Sequence, residues 1–197
     1  MMKAFVFFLA VILLSGVSRL GAKDEMPAAV KQAKEIVWAG LDYSKVEMIG
    51  QKDFREPNLF PDMLTTWNEL FLDEDIDKFG KRLHKTVVSD IDGVLKLNHK
   101  ATSAQIKVDE GKDEDSHWTA GRIAAEVKSY KLSTPSGVGL VLIIENMEKP
   151  MAYIDTVWFD VETREVLGVQ SDYYKAGGFG FRNYWFATVK RAVKEIK

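Results

Sequence analysis

The 197-residue chain has no cysteine. That absence excludes a disulfide framework, a thiol nucleophile, a thiolate metal site and lipid anchoring through a modified cysteine. Proline is scarce, at five residues, and no Pro/Gly/Ser linker, low-complexity tract or internal repeat interrupts the chain. One domain is therefore expected over 23–197. Charge of a single sign is also lacking, with 27 basic against 29 acidic residues. Nucleic acid and anionic lipid, which are recognised by basic surface, are not expected partners. Such a domain holds together by burial alone, and about 175 residues can remove roughly 70% of the unfolded chain's surface from water.

The one long apolar run is at the start. Met1, Met2 and Lys3 form a short basic segment, and Ala4 to Val17 follow with almost no polar residue. This run is shorter than the roughly 18 to 20 apolar residues of a membrane span and fits a secretory leader instead. Residues 1–22 are read as a signal peptide, cleaved after Ala22 or after Ser18. The mature protein is expected in the periplasm or outside the cell, with no transmembrane segment. Loss of Lys3 and Arg19 leaves 25 basic against 29 acidic residues, a net charge of −4. A solvated monomer is expected.

Hydrophobic periodicity places the elements. Lys34 to Leu41 reads as a strand, with a turn at Asp42-Tyr43-Ser44-Lys45. Phe60, Leu64, Trp67 and Phe71 recur at helical spacing, and Ile76, Phe79 and Leu83 suggest a second helix. A third is read from Asp90 to about Lys100, and a fourth behind Ser116 as N-cap, with the stripe Ala120, Ile123, Ala124, Val127 and Tyr130. Val138 to Ile144, Tyr153 to Phe159 and Val166 to Tyr173 are strands separated by short polar turns, which implies antiparallel hairpins. A long C-terminal helix carries Trp185, Val189, Ala192, Val193 and Ile196. The expected fold class is α+β: a single domain, an antiparallel β-meander packed with helices.

Few motifs carry chemistry. Val87-Val88-Ser89-Asp90-Ile91-Asp92-Gly93-Val94-Leu95 resembles the first motif of the haloacid dehalogenase superfamily. That resemblance implies a Mg²⁺-dependent phosphohydrolase with Asp90 as nucleophile and Asp92 as acid/base. It covers about nine residues, and the Ser/Thr, Lys and later acidic pair that the family needs have no counterpart at strand ends. Locally, Ser89 and Asp92 have the spacing of a helix capping box. Asp73, Asp75 and Asp77 begin like a calcium loop, but Lys78 and His84 stand where glycine and glutamate are needed. The acidic run Asp109 to Asp115 reads as a solvated loop. His84, His99 and His117 form no ligand pair, so neither metal nor cofactor is expected.

The most distinctive segment runs from Tyr173 to Trp185. Gly177, Gly178 and Gly180 allow backbone conformations closed to other residues. Phe179, Phe181 and Tyr184 surround them, and Arg182 stands where a helix begins. Gly177, Gly178, Phe179, Phe181, Arg182 and Tyr184 are the candidate ligand-binding residues, and no catalytic residue is assigned. This segment, with Leu41-Asp42-Tyr43-Ser44-Lys45, resembles small secreted proteins of Bacteroidetes-type bacteria, a family of unknown function. The resemblance implies export and one α+β domain and supplies no active-site residues. The function expected is therefore an exported, non-enzymatic binding or accessory domain for an unknown small molecule or a cell-envelope protein. The phosphohydrolase and a helix-grip lipid or small-molecule binder are the alternatives. Protein recovered from the exported fraction should begin within a few residues of Lys23 by N-terminal sequencing. Recovery of Met1 there would refute the leader.

Overall fold

Strands covered by helices on both faces read as continuous apolar runs, and Glu35–Asp42 has this character: every residue after Glu35 is buried. The computed structural model describes residues 19–20, 26–55, 58–108 and 117–196. Most of the expected leader and the acidic run with Ser116 lie outside the described residues. Within them the strands are β1 (Arg19–Leu20), β2 (Glu35–Asp42), β3 (Glu47–Ile49), β4 (Thr86–Ser89), β5 (Ile106–Lys107), β6 (Val138–Glu148), β7 (Met151–Asp160) and β8 (Val166–Lys175). The helices are α1 (Ala28–Gln32), α2 (Leu64–Glu74), α3 (Ile76–Leu83), α4 (Asp92–Asn98), α5 (Ala120–Ser129) and α6 (Phe181–Glu195).

All eight strands join one sheet, with β6 as its spine. Along one side β6 pairs antiparallel with β7 from end to end. Along the other it meets two strands in tandem. β2 runs parallel to Val138 through Ile143, and β3 runs parallel to Asn146 through Glu148. β4 lies outside β2 and β5 outside β3, both parallel. β8 completes the other half against β7, with the two-residue β1 parallel at its edge.

The antiparallel meander of an α+β fold is therefore not the architecture. Although β6, β7 and β8 are linked by hairpins, five of the seven strand pairings are parallel, and the protein is an α/β fold. The parallel pairings join segments far apart in the chain, with no local turn to announce them. The helix expected from Asp90 with Ser89 as its cap is also corrected. Ser89 ends β4, opposite Trp38 of β2, and α4 begins at Asp92 without a side-chain cap. Pairing of Val87 and Val88 with Ile36 and Val37 outweighs the local capping signal. At the start of α5 the cap is Thr119, whose hydroxyl accepts the Arg122 N–H.

Two cores sandwich the sheet. One face packs Trp38 and Leu140 against Trp67 and Phe71 of α2, Phe79 of α3 and Trp185 and Val189 of α6. Trp38 and Phe71 stack with ring centroids 4.2 Å apart, an arrangement that adds about 0.5–1.5 kcal/mol beyond area burial. The other face packs Val141, Val157, Phe159 and Val169 against Ile123 and Val127 of α5. Among the described residues no helix is long and apolar enough to cross a membrane. On α6, Val189 is fully buried on the stripe it shares with Trp185, Ala192 and Val193. Val189→Asp should cost about 3 kcal/mol or more. Urea denaturation should show the midpoint falling, and an unchanged midpoint would mean that the stripe is not buried.

Candidate functional site

From β2 the chain reaches β4 through α2 and α3 on one face, and from β4 it reaches β6 through α5 on the other. β4 and β6 flank β2 in the sheet. The C-terminal end of β2 is thus a topological switch point, where α/β folds open a crevice for ligands. Asp42-Tyr43-Ser44-Lys45 occupies this point, between β2 and β3, and the crevice is filled by polar side chains. Asn68 from α2 accepts the Leu41 N–H at 2.7 Å and donates to the Leu41 carbonyl at 3.0 Å. Asn98 from α4 accepts the Tyr43 N–H and donates to the Leu41 carbonyl, each at 2.8 Å. Gln105 donates to the carbonyls of Tyr43, Ser44 and Val46, each at 3.2 Å. Only glycine is tolerated at Gly40, where φ is 115° and a Cβ would lie 2.8 Å from Asn68 Oδ1.

Charge is concentrated at the same point. Asp42 accepts the Ser44 N–H on Oδ1 at 2.8 Å and the Tyr130 hydroxyl on Oδ2 at 2.6 Å. Burial pushes the Asp42 carboxyl above the usual carboxylate range, against the lowering effect of the Ser44 and Tyr130 hydrogen bonds. The Tyr130 phenol is likewise pushed well up, first by burial and then by the Asp42 charge. Glu126 of α5, also buried, pairs with Lys45, whose side chain is half exposed. Both Asp42 oxygens have partners, so this centre holds the strand break together and leaves Lys45 as its polar face to solvent.

A cavity opens instead at the corner between β8 and α6. Gly178 and Gly180 have φ of 105° and 78°, and the Gly177 N–H donates to the Tyr184 carbonyl at 2.9 Å. The indole of Trp67 donates to the Arg182 carbonyl at 2.9 Å, which fixes the start of α6 to α2. Beside this loop is a cavity of about 270 Å³ lined by Asp53, Lys149, Gly178, Gly180, Phe181, Tyr184 and Trp185. Lys149 lies 3.8 Å from Asp53 and 5.5 Å from the Tyr184 ring centroid. Of the six candidate residues, Gly178, Phe181 and Tyr184 line the cavity. Gly177 is not in the lining, and a Cβ there would lie 3.5 Å from the Arg191 guanidinium. Phe179 and Arg182 lie outside the lining: Phe179 is 96% exposed, and Arg182, also exposed, donates to the Asn183 side chain.

Asp90 does follow a strand, as a haloacid dehalogenase nucleophile would, but its Oδ2 accepts the Thr134 N–H at 2.7 Å. Asp92 faces solvent. Among the described residues no three His, Asp or Glu side chains converge to hold a metal. Gly93 packs so closely on the segment before β6 that a Cβ would sit 2.4 Å from the Lys131 carbonyl. Asp90 and Gly93 together tie that segment down.

Sequence reasoning did not find Asp53 and Lys149, which join the cavity from a short turn after β3 and from the β6–β7 hairpin, and no local pattern could have found them. Nor did it assign Glu126 and Tyr130: Tyr130 closes the apolar stripe of α5, and Glu126 lies off that stripe. No family model, curated protein or solved structure matches the chain.

The buried Asp42 makes stability depend on pH. Its folded carboxyl keeps a proton to higher pH than the unfolded one, which titrates near 3.8. Its contribution is therefore greatest below that value and is lost as pH rises through the folded pKa. In urea denaturation, wild type should lose stability relative to Asp42→Asn as pH is raised above about 4. A difference that stays constant over that range would contradict the burial assignment.

Proposed function

We propose that the protein is an exported binding protein that takes a small ligand at the corner between β8 and α6. Kinship with small secreted proteins of Bacteroidetes-type bacteria belongs to the same proposal. The observation that carries it is the 96% exposure of Phe179 on a loop whose backbone is held by hydrogen bonds on both sides. Were the corner only a turn between strand and helix, its aromatics would pack on the sheet. Phe179 does not, and the cavity beside it has an aromatic floor of Phe181, Tyr184 and Trp185 with Lys149 and Asp53 at its rim. A pocket with aromatic walls and a few convergent polar groups is the usual form of a small-molecule site. The lining fits a ligand with a flat apolar face for Tyr184 and an anionic or hydroxyl edge for Lys149.

Differential scanning fluorimetry against aromatic carboxylates, nucleosides and monosaccharides tests this function. A ligand at a hundredfold excess over Kd adds about 2.7 kcal/mol of stability, read as a rise in melting temperature. The rise should vanish in Tyr184→Ala and fall sharply in Lys149→Ala. Lys149→Ala should barely change the melting point of the free protein, because an exposed ion pair contributes about 0–1 kcal/mol. A thermal shift that survives both substitutions would place the ligand elsewhere, and no shift with any compound would remove this function.

A further inference from the structure

On the face of the sheet that carries α5, a second cluster lies apart from the corner. The ladder between β6 and β7 slips between Ile144 and Asn146, and such a bulge re-aims the side chain it carries. Here that side chain is Glu145, which is 3% exposed. Its Oε2 accepts the Trp118 N–H at 2.9 Å and lies 3.5 Å from Nδ1 of His117. Glu145 Oε1 is buried and makes no hydrogen bond among the described residues. The His117 ring lies flat on Tyr153, with centroids 3.6 Å apart and planes 14° from parallel, which fixes its orientation. Its Nε2 is 3.1 Å from the hydroxyl of Tyr173. Tyr173 stands opposite Tyr153 in the β7–β8 ladder and is 39% exposed. Two register positions away, Ser171 donates to the buried Asp155.

A buried carboxylate 3.5 Å from one ring nitrogen, an imidazole oriented by its stack on Tyr153 and a part-exposed hydroxyl on the second ring nitrogen form an arrangement that can activate an oxygen nucleophile. We infer that Tyr173 is an activated phenol that accepts acyl groups from carboxylic esters, with His117 as its general base. In that step Tyr173 Oη bonds to the ester carbonyl carbon and the bond from that carbon to the leaving alkoxide or phenoxide breaks. The phenolic proton passes to His117 Nε2, and the resulting imidazolium is held by Glu145 through Nδ1. Glu145 acts only through His117 and is a positioning residue.

The full chain, treated with p-nitrophenyl acetate and digested, reports acetylation of each tyrosine by mass spectrometry. Tyr184, partly exposed and without an imidazole on its hydroxyl, serves as the reference within the same sample. General-base assistance typically contributes about 10²–10⁴-fold. Tyr173 should therefore label more than about tenfold faster than Tyr184, and His117→Gln should remove that excess. Glu145→Gln should slow labelling of Tyr173 in the parent but not in His117→Gln, since its effect passes through the ring. Tyr173 labelling less than about tenfold faster than Tyr184 overturns the inference without any variant. So does an excess that persists in a folded His117→Gln protein, or a Glu145→Gln effect that is undiminished without His117.

Discussion

Between Asp42 and Glu47 the chain leaves one strand position and resumes another along the same neighbour, β6. In doing so it strands the backbone groups of Leu41 and Tyr43 in the middle of the protein, where an unpaired N–H or carbonyl costs about 1–3 kcal/mol. β4 cannot serve them, because its ladder with β2 ends at Ser89. Two asparagine side chains, Asn68 from α2 and Asn98 from α4, take the place of the missing strand. Both are fully buried. Gln105 does the same for the carbonyls of the turn. Because these amides come from α2, α4 and the segment before β5, the break in β2 dictates where those elements dock. The close approach of Asn68 in turn demands glycine at position 40.

The same constraint explains why the switch point is not the place proposed for a ligand. The crevice at the ends of parallel strands is used up in satisfying the chain's own backbone, and Asp42, Tyr130 and Glu126 complete the filling. The two places proposed for chemistry lie instead where the sheet meets solvent. One is the glycine corner at the end of β8, with a cavity and an exposed aromatic ring. The other is the bulge on β6 that turns Glu145 toward His117. Both lie toward the same end of the β6–β7 hairpin, one on each face: Lys149 in the hairpin turn serves the corner, and Tyr153 on β7 supports His117.

Elements with strong local signals were legible in the sequence. The long apolar strands β6 and β7 and the stripes of α2, α5 and α6 follow from periodicity, since burial on one or two faces imposes it directly. What could not be read was how strands remote in sequence pair. Nothing in Thr86-Val87-Val88-Ser89 names Ile36 and Val37 as its neighbours, and β3 and β5 are too short to show alternation. Ser89 and Asp92 misled because capping chemistry is local while strand pairing is not. Of the corner, the glycines and aromatics were visible as composition. Asp53 and Lys149 join them only through the fold, and His117 reads as an isolated histidine until Glu145 and Tyr173 are brought beside it.

The tandem arrangement along β6 has a consequence for how the molecule opens. In the sheet, β3 and β5 are attached to the rest through three residue pairs between β3 and β6, and two residue pairs join the short strands to each other. β2, buried at every residue after Glu35, lies between both cores. Opening free energies in one protein run from near zero up to the global value, in contiguous cooperative units. Along the same side of β6, six residue pairs hold β2 and three hold β3. The short ladder at Asn146 to Glu148 is accordingly the one expected to open ahead of the longer ladder from Val138 to Ile143.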